Sequence, residues 1–181
     1  HPLVERITIK NQRAHMERFL QETRKKTEMQ RTDLAKDKTG VFTGAYAVNP
    51  ANGERIPVWV GDFVLGYYGT GAVFGDAHDE RDFVFAKKYD IPLKVTVLPK
   101  DASQEQIDAI TSLESCFTGD GVLIDSESFT GLHSAEARHK IASWLEDEEQ
   151  GRLVTKYRLR DWLVSRQRYW GAPIPIVYDP E

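Results

Sequence analysis

The spacing of apolar residues predicts that this chain begins with a helix and a polar stretch. Ala14, Phe19 and Leu20 fall on one face of a helix over about residues 11–27. The stretch Lys25–Lys38 is rich in charge and threonine, so we expect it to be mobile or to face solvent. The chain then changes character and becomes rich in β-branched and aromatic residues.

These apolar runs predict strands, and the residues between them predict turns. Three strands are predicted, at Gly40–Val48, Ile56–Val60 and Phe63–Tyr67. The first two are joined by Asn49–Gly53, a segment of turn residues, so the three are expected to form an antiparallel meander.

Helices and short strands mix in the second half of the chain. The pattern predicts a helix at Glu80–Tyr89 and a second helix that begins at Ser103, where Ser103 and Gln106 form a capping box. A third helix is capped by Ser134, carries the stripe Ala137, Ile141 and Leu145, and is closed by a left-handed Gly151. Strands are predicted at Leu93–Leu98 and Gly121–Ile124. Strands and helices do not alternate strictly. We therefore predict an α+β fold, a mixed β-barrel-like domain with peripheral helices.

Composition narrows the class of protein. A chain of 181 residues, 40% of them hydrophobic, can bury one substantial core. One cysteine allows no internal disulfide and no metal cluster, which favours a reducing cytoplasm. No apolar run approaches the roughly 20 residues that span a bilayer, and no signal-peptide pattern opens the chain, so we expect a cytoplasmic protein without a membrane partner.

The candidate chemistry lies in a glycine-rich loop before a helix. Gly66, Gly69 and Gly71 permit close backbone approach, and His78, Asp79 and Asp82 follow near the helix N-terminus. The glycine spacing does not fit a dinucleotide fingerprint. The three polar side chains could ligate a cation, but acids in a first helical turn more often cap it, so we predict no metal. We expect Asp79 to cap the helix and Asp82 to hold a ligand's ammonium group in the cleft.

The end of the chain suits a phosphate backbone. The segment Tyr157–Tyr178 contains five aromatic residues and four arginines, namely Arg158, Arg160, Arg166 and Arg168. Guanidinium groups chelate phosphate oxygens and rings stack on bases, so these arginines are predicted to bind RNA. The alternative is that they pair with acidic residues of another domain.

Several ordered motifs resemble the editing domain of leucyl-tRNA synthetase, a class I aminoacyl-tRNA synthetase. They are Gly-Thr-Gly-Ala-Val at 69–73, His-Asp-x-Arg-Asp at 78–82, Lys38–Gly44, Glu54–Trp59 and Tyr157–Trp162. The resemblance implies hydrolysis of the ester of tRNA(Leu) mischarged with near-cognate amino acids such as norvaline or isoleucine. It implies that Asp82 binds the α-amino group and that Tyr68 bounds the side-chain pocket. His78 and Asp79 would shape the site and, with Asp82, are the implied catalytic residues. The other implied substrate-binding residues are Gly69, Thr70, Gly71, Phe74 and Asp76.

The resemblance also implies a division of the chain and its partners. Residues 1–150 would form the editing domain, and residues 151–181 would return toward the catalytic core. The partners would be mischarged tRNA(Leu) and the remainder of the synthetase. Editing would need no cofactor and no covalent nucleophile, since positioned water can attack an activated ester. ATP and Mg would belong to the parent enzyme's synthetic site, whose signatures do not occur in these residues.

This sequence departs from the family pattern at two places. The family's threonine-rich peptide, Thr-Thr-Arg-Pro-Asp-Thr, stands upstream of the motif that begins at His1, and it is not among these residues. The loop Phe74–Ala77 has four residues where the family typically has five, and it contains an additional aspartate, Asp76. Two alternatives follow: a tRNA-binding or structural remnant without turnover, and the editing domain of isoleucyl- or valyl-tRNA synthetase. If the threonine-rich peptide orients the ester, we expect slow hydrolysis without it.

Overall fold

Two helices precede a β-hairpin and cover one of its faces. In this computed structural model, which describes residues 1–27, 37–66 and 69–155, helix α1 spans Leu3–Ile7 and helix α2 spans Arg13–Arg24, with a 3₁₀ turn at Lys10–Gln12 between them. The first predicted helix is confirmed. The predicted buried face is partly wrong, because Met16 and Phe19 are buried whereas Ala14 is exposed.

The hairpin is formed by strands β1, Gly40–Val48, and β2, Arg55–Gly61. The predicted turn between them is confirmed, and the Gly53 N–H donates to the Asn49 carbonyl at 2.8 Å. The pairing is antiparallel, with Val41 opposite Val60 and Phe42 opposite Trp59. Successive side chains of a strand point to opposite faces, so each pair faces a different layer.

Apolar packing fills both faces of the hairpin. On one face Val41 joins a core with Val4, Met16 and Phe19, against which Leu20 and Val60 pack. On the other face Trp59 packs against Phe85 and Tyr89 of the next helical segment, with ring centroids 5.8 and 5.0 Å apart. That segment is α3, Glu80–Lys88, which confirms the predicted helix. The hairpin therefore lies between α1 and α2 on one side and α3 on the other.

The third predicted strand, Phe63–Tyr67, is wrong over its described residues 63–66, which form turn and irregular structure. The Asp62 carboxylate explains the change of direction. It accepts the Thr39 backbone N–H at 3.0 Å and the Thr39 hydroxyl at 2.7 Å, and it pairs with Lys26 at 2.6 Å. These bonds fold the chain back onto the start of β1 instead of extending it as a third strand.

The polar stretch Lys25–Lys38 lies largely outside the described residues, since 28–36 are not described. Its described ends do not simply face solvent as predicted. Lys38 is only 6% exposed, and Lys26 forms the ion pair with Asp62. The Lys26–Asp62 ion pair and the hydrogen bond that the Lys88 ammonium donates to the Lys38 carbonyl at 3.0 Å account for the difference.

The second half of the described chain contains a smaller sheet and two further helices. Strands β3, Val97–Leu98, and β4, Val122–Leu123, pair antiparallel and are shorter than predicted. Helix α4 spans Gln104–Thr111, and the predicted capping box between Ser103 and Gln106 is confirmed. After a 3₁₀ turn at Glu127–Phe129, helix α5 spans Ser134–Asp147 and packs against β4.

Both predicted ends of α5 need correction. The N-cap is His133, and Ser134 is the first helical residue, whose hydroxyl donates to Asp120 at 2.8 Å. At the other end Glu149, with φ +56°, takes the left-handed conformation that the sequence predicts for Gly151. The predicted stripe is confirmed most clearly at Ala137, which is 1% exposed.

The α+β class is confirmed, whereas the barrel is not. The described residues form two separate two-stranded sheets, β1–β2 and β3–β4, and these do not close into a barrel. Among the described helices none is long and apolar enough to cross a membrane.

Candidate functional site

The glycine-rich loop lies beside the start of the chain. Gly69 and Gly71 have φ of +62° and +75°, in the left-handed region that glycine adopts at little cost. A Cβ atom on Gly71 would lie 2.6 Å from the Gly66 carbonyl oxygen and 2.9 Å from the His1 ring. The close approach at Gly71 is therefore to the protein's own backbone. Thr70 is exposed, and its hydroxyl donates to the Ala72 carbonyl at 3.3 Å.

The imidazole of His78 is held at both ring nitrogens by backbone groups. Its Nδ1 lies 2.8 Å from the Phe117 carbonyl oxygen, and its Nε2 accepts the N–H groups of Thr96 and Val97, each at 3.0 Å. A carbonyl can only accept and an N–H can only donate, so these partners assign the neutral tautomer with the proton on Nδ1. The ring joins the loop before α3 to the start of β3 and to the segment before β4.

Asp79 caps helix α3, as its position in the sequence predicts. Its carboxylate accepts the backbone N–H of Arg81 at 2.9 Å and that of Asp82 at 3.3 Å. The Arg81 guanidinium also pairs with it at 3.1 Å. Hydrogen bonds from the Arg81 side chain, followed by the backbone bonds, hold the pKa of Asp79 below its usual value despite partial burial.

The pKa of Asp82, in the first turn of α3, is shifted in the opposite direction from that of Asp79. Burial, together with the negative charges of Asp79 and Asp76, raises the pKa of its half-buried carboxyl to about 6. The Asp76 backbone N–H and the Arg81 charge offset this only in part. A carboxylate that is desolvated and crowded by like charges gains most from a cation that binds next to it.

The short loop Phe74–Ala77 faces this carboxyl. A Cβ atom on Gly75 would lie 3.4 Å from Oδ2 of Asp82, so the glycine backbone passes close to the carboxyl. The Asp76 carboxylate accepts the His78 backbone N–H at 2.6 Å. Phe74 is 59% exposed and offers an apolar surface on the same loop.

Of the predicted residues, the structure brings Asp76, His78, Asp79 and Asp82 together at the start of α3. Asp76, Asp79 and Asp82 place three carboxylates around one turn of backbone, with the Arg81 guanidinium paired to Asp79. The arrangement suits a small cationic group such as an ammonium. Within the described ranges, no three His, Cys, Asp or Glu side chains are placed to hold a metal ion. Tyr68 and the arginines Arg158, Arg160, Arg166 and Arg168 lie outside the described residues.

Sequence reasoning missed the groups that hold the site loop from the other half of the chain. They are the backbone of Thr96, Val97 and Phe117, together with Cys116, whose thiol donates to the Ala77 carbonyl at 3.3 Å. Backbone groups leave no signature in a sequence. The Cys116 thiol is partly buried, and burial raises its pKa, so it acts here as a packing group with a weak hydrogen bond.

Comparison with known proteins shows that nearly the whole chain is similar to leucine–tRNA ligases. Two curated relatives are leucine–tRNA ligases, from Petrotoga mobilis at 48% identity and from Rubrobacter xylanophilus at 50%. Each match covers 98% of this chain and 21% of the relative, so the chain spans about one fifth of their length. Among solved structures, LeuRS of Agrobacterium radiobacter K84 in a ternary complex with tRNA and LeuAMS matches with a TM-score of 0.61 and 32% identity, over 94% of this chain and 18% of that one.

A family model for the leucine member of the group matches most of the chain. The model for the editing domain of leucyl-tRNA synthetase matches residues 1–146, which include the glycine-rich loop, His78 and the carboxylates at the start of α3. The chain belongs to the leucyl-tRNA synthetase editing-domain family.

Proposed function

We propose that this chain hydrolyses the aminoacyl ester of tRNA(Leu) that carries a near-cognate amino acid. The observation that carries the proposal is the position of Asp82 within a matched editing domain. Its half-buried carboxyl has a raised pKa and lies against the loop backbone at Gly75. An α-ammonium group placed beside it would form a charge-assisted hydrogen bond.

The remaining groups of the site would position the ester. Asp79 fixes the first turn of α3, and His78 fixes the loop before it, so the Asp82 carboxyl has a defined place. Phe74 and Tyr68 would contact the amino-acid side chain, and Gly69, Thr70, Gly71 and Asp76 would border the terminal nucleotide and the ester. Since the ester is already activated, correct placement of one water molecule supplies much of the chemistry. Both ring nitrogens of His78 have backbone partners, which argues against its use as the general base.

The larger assembly is part of the same proposal. Residues 1–150 would form the editing domain, and residues 151–181 would lead back to the catalytic core of a longer ligase. Support comes from the family match, which ends at residue 146, and from relatives about five times as long. Mischarged tRNA(Leu) and the remainder of the synthetase would be the partners. Editing itself would use no cofactor, whereas ATP and Mg would serve the synthetic site elsewhere.

A matched pair of variants on one helical turn tests the proposal. Asp82→Ala removes the proposed ammonium anchor, and Glu80→Ala removes an exposed carboxyl from the same turn. Single-turnover deacylation of isoleucyl-tRNA(Leu) is measured with the chain alone and with the chain replacing the matching segment of a longer leucine–tRNA ligase. Loss of a charged hydrogen bond costs about 1.5–3 kcal/mol, so Asp82→Ala should slow hydrolysis about tenfold to a hundredfold. Glu80→Ala should change it little.

The same measurement separates the proposal from its main alternative, a domain that binds tRNA without turnover. Hydrolysis that depends on Asp82 in either context supports the proposal. Equal rates for the wild-type chain, Asp82→Ala and buffer in both contexts, with tRNA binding retained, would favour the binding role.

A further inference from the structure

Charge is distributed very unevenly along this acidic chain. Residues 1–27 contain seven lysines and arginines but only three glutamates, whereas the whole chain has a net charge of −4. Residues 101–150 contain twelve acidic residues and two basic ones. The α1–α2 layer is therefore strongly basic, and the part of the chain that holds α4 and α5 is strongly acidic.

The basic residues of the helical layer are exposed and turned outward. Val4, Met16 and Phe19 direct one side of α1 and α2 into the core against β1. The exposed basic residues are Arg6, Lys10, Arg13, Arg18, Arg24 and Lys25. Of the seven basic residues at 1–27, only Lys26 has a carboxylate partner among the described residues. Arg13 and Arg18 stand four residues before the exposed Glu17 and Glu22 on α2, yet the described residues show no ion pair between them.

Helix electrostatics explain only part of this distribution. Arg24 and Lys25 lie at the C-terminus of α2, where a positive charge stabilises the helix dipole. Arg13 lies at the opposite end of the same helix, where a positive charge is unfavourable. Arg18 is in the middle, and Lys10 precedes the helix. The helix dipole therefore does not account for these three exposed positive charges.

We infer that the outer side of the α1–α2 layer binds the phosphate backbone of RNA. The inference rests on the proposed function, in which the substrate is a tRNA, and it adds a contact surface distinct from the site at α3. Guanidinium groups on an exposed helical face suit phosphate oxygens, and each contact releases condensed counterions. The acidic α4 and α5 region repels the same polyanion, so the two charged regions together set the orientation of the RNA.

The test compares neutral substitutions on the two charged regions. Arg13→Gln and Arg18→Gln each remove one exposed charge from the basic layer. Lys100→Gln removes one exposed charge beside the acidic region, where Lys100 has no ion-pair partner among the described residues. Binding of uncharged tRNA(Leu) transcript to the 181-residue chain is measured by fluorescence anisotropy from about 50 to 200 mM salt, a range over which phosphate contacts are strongly screened.

We expect Arg13→Gln and Arg18→Gln each to flatten the log–log salt dependence of the association constant by about 0.7–0.9, the value for one lost phosphate contact. Lys100→Gln should leave the slope unchanged. Equal slopes for all four proteins, or an equal change in Lys100→Gln, would overturn the inference. So would binding of phosphatidylserine vesicles, lost in Arg13→Gln, in place of RNA binding.

Failure of this inference and failure of the proposed hydrolysis give different results. The RNA titration uses uncharged tRNA and has no catalytic step, so it reports only on the surface. If deacylation depends on Asp82 but Arg13→Gln and Arg18→Gln leave the salt slope unchanged, only the surface inference fails. If the slopes change as expected but no variant affects deacylation, the hydrolytic proposal fails alone.

Discussion

The raised pKa of Asp82 predicts that editing depends on pH through this one carboxyl. With a pKa of about 6, roughly one carboxyl in eleven is ionised at pH 5 and about ten in eleven at pH 7. Only the ionised form can pair with the substrate's ammonium group, which stays largely protonated over this range. The second-order rate constant for deacylation should therefore rise about tenfold between pH 5 and pH 7.

The assay is single-turnover hydrolysis of isoleucyl-tRNA(Leu) at an enzyme concentration well below saturation, with the spontaneous rate subtracted at every pH. Asp82→Asn preserves the size of the side chain but cannot ionise. Its rate should be lower at pH 7 and should lose the tenfold rise. A wild-type profile that is flat between pH 5 and pH 7 would refute the reasoning, and so would an Asp82→Asn profile that keeps the full rise.

The same carboxyl makes a separate prediction for stability, with a sign opposite to that of a salt-bridged aspartate. Unfolded Asp82 ionises near 3.8, whereas folded Asp82 ionises near 6. Between these values the unfolded state binds fewer protons, so the contribution of Asp82 to stability falls as pH rises and levels off above about 6. Urea unfolding at pH 4 and pH 7 should show Asp82→Asn gaining stability relative to wild type at the higher pH. An equal difference at both pH values would contradict the raised pKa.

Three further outcomes follow from individual contacts. His78→Gln, whose amide oxygen can replace Nε2 as the acceptor from β3, should slow deacylation less than His78→Ala, and neither should change the shape of the pH profile; loss of one limb of the profile would instead indicate a general base. Asp79→Ala should lower the free energy of unfolding by about 0.5–2 kcal/mol through loss of the N-cap. Asp79→Asn, which can still cap the helix, should lose much less stability, and an equal loss in both variants would exclude capping as the cause. Asp62→Asn should destabilise the chain by about 1–3 kcal/mol at pH 7. Burial alone would raise the Asp62 pKa, but the hydrogen bonds from Lys26 and Thr39 outweigh it and lower the pKa, so the stability difference should shrink as pH falls through that lowered pKa. A stability difference that stays constant down to acid unfolding would contradict this prediction.

Much of the local structure could be predicted because it depends on neighbouring residues. The bounds of β1 follow from the β-branched and aromatic residues of its own run, and the turn at Asn49–Gly53 follows from residues suited to turns. The caps at Asp79 and Ser103 are equally local, since a side chain bonds to backbone two or three positions away. The ordered motifs predicted the family, which the comparisons confirm.

Only the tertiary structure decided the features that depend on distant partners. The run after Gly61 has strand composition, yet the buried Asp62 bonds back to Thr39 and turns the chain. Met16 is buried in place of Ala14 because β1 covers that side of α2. The sequence predicts His78 as a candidate catalytic group, but in the structure its ring is hydrogen-bonded to the carbonyl of Phe117, 39 residues later. The pKa of Asp82 is raised by desolvation, which exists only when the loop and α3 are packed together. Sequence patterns record the preferences of neighbouring residues, whereas burial and backbone partners from remote segments arise only when the chain is folded.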